Sequence, residues 1–585
     1  MVFLCNTVAG AHGPTAGART LPCAPPASPA PAASLRPDSE TSSMNVAQAM
    51  ASILKKEGVE LLFCYPSNKV IDEAALLGIR PIVVRQERTG LHMADAYSRL
   101  SSGRKIGVFA MQHGPGAENS YGSVAQAYAD SVPVLVIPQG YPQRVAGIKP
   151  NFSSAVSMRD VAKSAEALGI PAEVTNIMRR AFSQVRNGRG GPVIVEVPND
   201  LWAAELPEPE NYSPVSVSRY GPDPADVAKA ADVIVAAANP VIHAGQGVHY
   251  AKAWDELKEL AELIAAPVAT TLPGKSSFPE DHPLSLGSGG LTYPIPVKTF
   301  LDAADVILGI GCSFTETLFA VPVPSGKRIV HLTLDPAHLN KDVAAEIGVI
   351  GDAKLALRAL IDELRARGFS ATKGVETAAR IKQAREAWLA EWMPKLTSNE
   401  APLSPYRIIW ELMQATKDER TIVTNDAGRP RDQLTPFWIS REPLSFIGWG
   451  KTTQLGYGLG IAMGAKLACP DHLCINVWGD AAIGFTGMDI ETAARERIPI
   501  LTILFNNGGM ATELKNMPSA IKLYDAHRIT GHYCDMARSF GAYAERITEP
   551  QEIRAAIERG IAKTKEGQPV LLEFITAQET SMSKL

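Results

Sequence analysis

The chain has 585 residues, 46% hydrophobic and 20% charged, with a formal net charge of −4. That length exceeds a single core and implies three or four domains. The charge balance excludes an electrostatic nucleic-acid binder or a membrane-surface protein, and no apolar run reaches the roughly 20 residues a transmembrane helix needs. Seven cysteines without CxxC or zinc spacing read as free thiols in a reducing compartment.

In chain order, residues 1–43 come first, rich in Ala, Pro, Gly and Ser and poor in hydrophobic anchors. They are expected to be a disordered extension. They lack the Arg-rich pattern of a transit peptide and the apolar centre of a secretory signal. Met44 starts the first helical pattern. From there apolar runs alternate with amphipathic stretches, which predicts repeated βα units and parallel, doubly wound sheets. The first block spans 44–205, with strands predicted at Pro81–Val84, Ile106–Phe109, Pro133–Ile137 and Pro192–Val197. A polar, Pro-rich linker separates it from a second block at 225–365. A charged helical linker at 366–398 leads to a third block at 399–585. No short repeat period is present, which excludes a solenoid.

Chemistry-bearing residues cluster where these strands end, the place where parallel α/β sheets bind ligands. In the first block Pro66 and Asn68 follow one strand. Glu87 follows the next and opens a helix, a position the macrodipole favours for any glutamate. Gln112 and His113 precede Gly114-Pro115-Gly116, with Asn119 beyond. His113 is a candidate proton donor at neutral pH; a packed, backbone-satisfied histidine is the competing reading. In the second block, Gly245-Gln246-Gly247 and Gly309-Ile310-Gly311 are Gly-rich turns, and Asp335 and Asp352 end later strands. A lone Gly-x-Gly is a weak signal.

The third block is the most informative. A strand ending in Asn425-Asp426-Ala427-Gly428 is followed by Thr453 and Leu455-Gly456-Tyr457-Gly458. The strand Cys474–Trp478 ends in Gly479-Asp480-Ala481-Ala482, and the run Ile498–Phe505 ends in Asn506-Asn507-Gly508-Gly509-Met510, with Glu513 just after. Asp480 and Asn507 supply a carboxylate and an amide oxygen. Mg²⁺ takes such oxygens and completes its shell with phosphate and water. The glycines let backbone N–H groups approach phosphates at a helix N-terminus.

The Asp480/Asn507 spacing resembles the Gly-Asp…Asn-Asn signature of thiamine-diphosphate enzymes. The stretch from Glu87 to Arg99 is similar to the family's glutamate helix, and the ordered segments from Phe63 to Val193 follow the family pattern. The resemblance covers about 44–585 and is to the acetolactate synthase, pyruvate oxidase and oxalyl-CoA decarboxylase branch. It implies three doubly wound parallel-sheet domains: pyrimidine-binding, central Rossmann-like and diphosphate-binding. It implies thiamine diphosphate and Mg²⁺, the metal on Asp480, Asn507 and the Gly509 carbonyl. Pro66, Ala427, Gly428, Gly479, Ala481, Ala482 and Met510 would contact the cofactor. Leu455 would wedge it into a bent shape and the Thr453 carbonyl would accept from its aminopyrimidine. Glu87 would act on the pyrimidine ring. The central domain would hold FAD or ADP at Gly245, Gly247, Gly309, Gly311, Asp335 and Asp352. The family's active site lies between subunits, which implies a homodimer or homotetramer.

The implied activity is a C–C lyase or carboligase. A 2-oxo acid is decarboxylated to an enamine, which adds to a carbonyl acceptor or is protonated; Asn68, Gln112, His113 and Glu513 are the candidates to handle substrate and protons. One alternative is a 2-hydroxyacyl-CoA lyase or oxalyl-CoA decarboxylase acting on acyl-CoA, which the stretch Gly484–Thr492 resembles. Another is a non-catalytic nucleotide-binding relative. Gln112-His113 stands where acetolactate synthases usually have Thr-Ser. The adjacent His-His pair of simple decarboxylases is absent. The expected location is cytoplasmic, or peroxisomal in a eukaryote, from the terminal Ser583-Lys584-Leu585.

Overall fold

The structure, a computed structural model, describes residues 43–371, 373–512 and 514–584; nearly all of the expected disordered extension, together with Glu513 and Leu585, lies outside them. Three six-stranded sheets, all parallel, follow one another along the chain. The first contains β1 (Leu61–Cys64), β2 (Arg80–Val83), β3 (Gly107–Met111), β4 (Val134–Gly140), β5 (Ser164–Ala167) and β6 (Val193–Pro198), in the order β2-β1-β3-β4-β6-β5. The second contains β7 (Pro240–Ala244), β8 (Val268–Thr271), β9 (Ser285–Gly289), β10 (Val306–Ile310), β11 (Arg328–Thr333) and β12 (Ile347–Ile350), ordered β12-β11-β10-β7-β8-β9. The third contains β13 (Thr421–Asn425), β14 (Phe446–Ile447), β15 (Leu473–Gly479), β16 (Leu501–Asn506), β17 (Tyr543–Ile547) and β18 (Val570–Ile575), ordered β14-β13-β15-β16-β18-β17.

The central strands are continuous apolar runs because helices cover both faces. Every residue of β3, β4, β10 and β16 is buried. Among the described residues no helix is long and apolar enough to cross a membrane.

The first and third sheets share one hydrophobic cluster, in which Phe63, Leu91 and Phe109 meet Tyr457, Ile461 and Trp478. Two helices make this joint, Glu87–Leu100 and Tyr457–Ala468. Gly460 and Gly464 allow it. A Cβ on Gly464 would lie 2.3 Å from the Met93 carbonyl oxygen, and one on Gly460 would lie 2.7 Å from that of Thr89. Beside the joint, buried Arg99 bonds Asp95 (2.5 Å) and Asp130 (3.1 Å) and reaches the Gly448 carbonyl at 3.4 Å. Thr452 donates to Gln126, which in turn donates to Asp130. The loop between β14 and Tyr457 is thereby tied to the first domain.

Two further ties reach the middle sheet. The buried Lys275 ammonium bonds Glu280 at 2.6 Å and the Trp438 carbonyl at 2.7 Å. Residues 577–583 leave β18 as a strap. Gln578 donates to the Asn507 carbonyl (3.2 Å), Lys395 pairs with Glu579, and Tyr406 donates to the Ser581 carbonyl. Ser583, 2% exposed, donates to the Tyr293 carbonyl and accepts from Trp388. Ser583 is thereby buried against the middle domain.

Candidate active site

At the C-terminal end of the first sheet, Glu87 begins its helix and is 2% exposed. Asn119 Nδ2 donates to Glu87 Oε2 at 3.0 Å. A Cβ on Gly116 would lie 3.6 Å from Glu87 Oε1 and 3.1 Å from Gln112 Cγ, so Glu87, Gln112 and Asn119 converge around that glycine. Burial pushes the Glu87 carboxyl above the usual carboxylate range; the Asn119 bond offsets part of this and the nearby Asp489 adds to it. His113 Nδ1 lies 3.2 Å from Gln139 Nε2, and its ring meets Tyr141 edge-on at 4.5 Å. Gln139 thereby orients the ring through Nδ1 and leaves Nε2 without a protein partner among the described residues. Gln139 and Tyr141, in and just after β4, carried no motif; the only sequence signal was a polar residue closing a buried strand.

Asn68 departs from the expectation that it faces the reacting centre. Its amide donates to the carbonyls of Met111 (3.3 Å) and Ile137 (3.0 Å) and accepts from Val70 N–H. It clamps β3 to β4, and both protons of its amide are spent there. Pro66 is exposed in the turn after β1.

At the matching end of the third sheet, Asp480 opens the helix Asp480–Thr486 and is 3% exposed. Its Oδ2 accepts from the N–H groups of Asn507 (3.1 Å), Gly508 (2.8 Å) and Gly509 (3.2 Å), and its Oδ1 from Ala481 N–H. The β16 loop therefore curls onto the β15 end, with Gly508 at φ +72° making the turn. Burial raises Asp480 to about 6, and among the described residues no cationic side chain pairs with it. Gly428, at φ +79°, brings the β13 end close; a Cβ there would lie 3.6 Å from Thr512 Oγ1. Gly479, Ala481 and Ala482 surround Asp480, and Met510 is half-exposed on the loop.

Asp426 organises the neighbouring turn. Fully buried, it accepts from Ala427, Gly456 and Gly458 N–H groups, which fixes the β13 end to the turn carrying Leu455. Its pKa rises to about 6 through burial. Sequence reasoning singled out Ala427 and Gly428 and missed this acid beside them. Leu455 packs against the shared core, and its carbonyl accepts from Arg88 at 3.3 Å. Thr453 is exposed two residues before it.

Beyond the middle sheet lies a cavity of about 1340 Å³, lined among others by Gly247, Gly311, Asp335, Asp352, Arg189 and Lys451. Gly245 and Gly309 sit beneath its wall rather than on it. A Cβ on Gly245 would meet Cys312 Cα at 2.5 Å, and one on Gly309 would meet the Phe314 ring at 2.2 Å. Asp335 pairs with Arg189 at 3.4 Å, and Asp352 pairs with Arg219 at 3.4 Å while capping the helix Ala353–Ala366.

Comparison with known proteins agrees with this geometry. Three domain-family descriptions match: "Thiamine pyrophosphate enzyme, N-terminal TPP binding domain" over 44–160, "central domain" over 227–360 and "C-terminal TPP binding domain" over 426–574. A "Probable acetolactate synthase large subunit" of Methanocaldococcus jannaschii is 30% identical over 573 residues, covering 91% of this chain and 92% of that protein. The "Acetolactate synthase isozyme 3 large subunit" of Escherichia coli K12 is 27% identical over 553 residues, with 90% and 94% covered. A "Glyoxylate carboligase" of Escherichia coli O157:H7 is 28% identical over 572 residues, with 92% and 94% covered. The chain belongs to the thiamine-diphosphate-dependent enzyme family and is related to its acetolactate synthase branch.

Proposed function

We propose that the protein is a thiamine-diphosphate- and Mg²⁺-dependent lyase or carboligase acting on a 2-oxo acid. The observation that carries this reading is the pair of strand-end sites. A buried carboxylate, Glu87, stands at the end of the first sheet, and a buried, cation-free carboxylate, Asp480, stands at the end of the third. The Asp480 environment fits a bound cation, because an ionised carboxylate at that depth gains from a positive partner. Asp480, Asn507 and the Gly509 carbonyl would hold Mg²⁺, and Ala427, Gly428, Gly479, Ala481, Ala482 and Met510 would line the diphosphate and thiazolium. When bound, thiamine diphosphate supplies a nucleophilic carbon and an electron sink.

Glu87 would hold or share a proton with the pyrimidine nitrogen of the bound cofactor, a role that its raised pKa suits. The Leu455 side chain and the Thr453 carbonyl would orient that ring. His113, its ring oriented by Gln139, would donate to the developing product, and Gln112 borders the same space. Glu513 joins this set on sequence resemblance. The site is completed by a second copy in a homodimer or homotetramer, a reading supported by Tyr121 and Tyr128, exposed on the helix Pro115–Ala129 beside Glu87. FAD or ADP in the central cavity is supported by the strand order β12-β11-β10-β7-β8-β9, the arrangement of dinucleotide-binding sheets.

The test is calorimetric titration of thiamine diphosphate with Mg²⁺ into wild type and Glu87→Gln, followed by a CO₂-release screen over 2-oxo acids and acyl-CoAs. Binding to both proteins with turnover only in wild type is expected. Turnover of acyl-CoA alone would replace the 2-oxo acid reading, and absence of Mg²⁺-dependent binding to wild type would sink it.

A further inference from the structure

The central cavity receives one loop from the third domain. Residues 448–455 run from β14 toward the helix at Tyr457; Gly450 and Lys451 line the cavity, while Thr453 and Leu455 follow in the same loop. Among the described cations lining the cavity, Lys451 and the exposed Arg104 have no side-chain partner, and Lys451 is the more buried of the two. Arg189 bonds Ser131 Oγ at 2.9 Å and pairs with Asp335. Arg219 pairs with Asp352 and bonds the Ala251 carbonyl. Lys341 bonds Thr315 Oγ1 and pairs with Asp342 at 3.2 Å. The Lys451 ammonium makes no hydrogen bond or ion pair with any described residue.

We propose that Lys451 receives the phosphate or diphosphate of the ligand that fills the central cavity. Lys451 is half-buried on the cavity wall with no protein acceptor, so its ammonium is free to make a charge-assisted bond to an anion that enters. Burial pulls the ammonium down to about 8, and Arg189 and Lys341 press it the same way, with Asp130 offsetting only part. At neutral pH the group is mostly charged, and two further cations stand near it. Both neighbours are already paired with carboxylates, so the uncommitted Lys451 ammonium is the group that suits an anion rather than a neutral ring. The inference rests on the reading of the cavity as a nucleotide site and adds which end of the nucleotide the third domain holds.

The probes are ADP and adenosine, titrated calorimetrically into enzyme already saturated with thiamine diphosphate and Mg²⁺, so that the first diphosphate site is filled. Wild type is expected to bind ADP at least about tenfold more tightly than adenosine, the scale of one charge-assisted contact. Lys451→Met is expected to lose that preference with adenosine affinity unchanged, and Lys451→Arg to keep it. Equal binding of ADP and adenosine to wild type would overturn the role of Lys451 and leave the cavity reading standing. A preference that survives in Lys451→Met would overturn it too, assigning the phosphate to Arg104 or Arg189. Absence of binding by either probe would overturn both the cavity reading and this inference.

Discussion

The first and third sheets have the same strand order, with the second, first, third, fourth, sixth and fifth strands of each side by side. Both bring functional candidates to strand ends near the reversal of order, where the fold opens a crevice. Their chemistry differs entirely. The first presents Glu87, Gln112 and His113, groups suited to proton transfer. The third presents Asp480, Asn507 and a run of glycine N–H groups, suited to a metal and phosphates. One scaffold used twice therefore supplies two unlike half-sites, and the loops alone decide which is which.

Breaking the first half-site should have the largest effect. Glu87→Gln keeps the Asn119 contact and removes the titrating proton. It should lower CO₂ release by about 10²–10⁴-fold with calorimetric cofactor affinity little changed. Breaking the third half-site comes next. Asp480→Asn should weaken Mg²⁺-dependent cofactor binding by about 10–100-fold or more. In wild type, affinity should fall as pH drops through about 6, where Asp480 takes up its proton and ceases to attract the metal. The sign is set by the raised pKa: without cofactor the folded chain holds this proton better than the unfolded chain. The group's penalty on stability is therefore absent at low pH and complete above about 6. The denaturant midpoint of cofactor-free wild type should accordingly fall relative to that of Asp480→Asn as pH rises from about 4 to about 6, and the difference should then stay constant.

The joint between the two halves is tested by Gly464→Ala, which drives a methyl into the Met93 carbonyl at 2.3 Å. A loss of about 1–3 kcal/mol is expected from urea unfolding. The smallest effect belongs to Gly484→Ala, a helical glycine with nothing within 4 Å of its missing Cβ. It should be neutral or gain up to about 1 kcal/mol.

The positions of Glu87, Asp480 and Asn507 were legible because each follows an apolar strand and sits beside glycine punctuation. The three parallel sheets were legible for the same reason, since doubly covered strands are nearly pure apolar runs. β5, whose residues Ser164–Ala167 are only partly buried, lies at a sheet edge and gives no such signal. Asn68 shows the limit at the site. A loop asparagine beside a strand end looks alike whether it faces a ligand or clamps the carbonyls of Met111 and Ile137, which are distant in sequence. Asp426 and Gln139 were hidden by the same non-locality. Lys451 was hidden by the expectation that a charged loop residue faces water. The glycines of the helix Tyr457–Ala468 also gave no warning, because their partner is a helix more than 350 residues earlier in the chain.

The strap at 577–583 has a consequence for the timing of synthesis. It follows β18, so it emerges from the ribosome only after all three sheets have been made. Until then the Asn507 loop lacks Gln578 and the wall at Tyr293 lacks Ser583. On a nascent chain the two ligand sites therefore wait on the same few residues, and their final fastening is one late event of assembly.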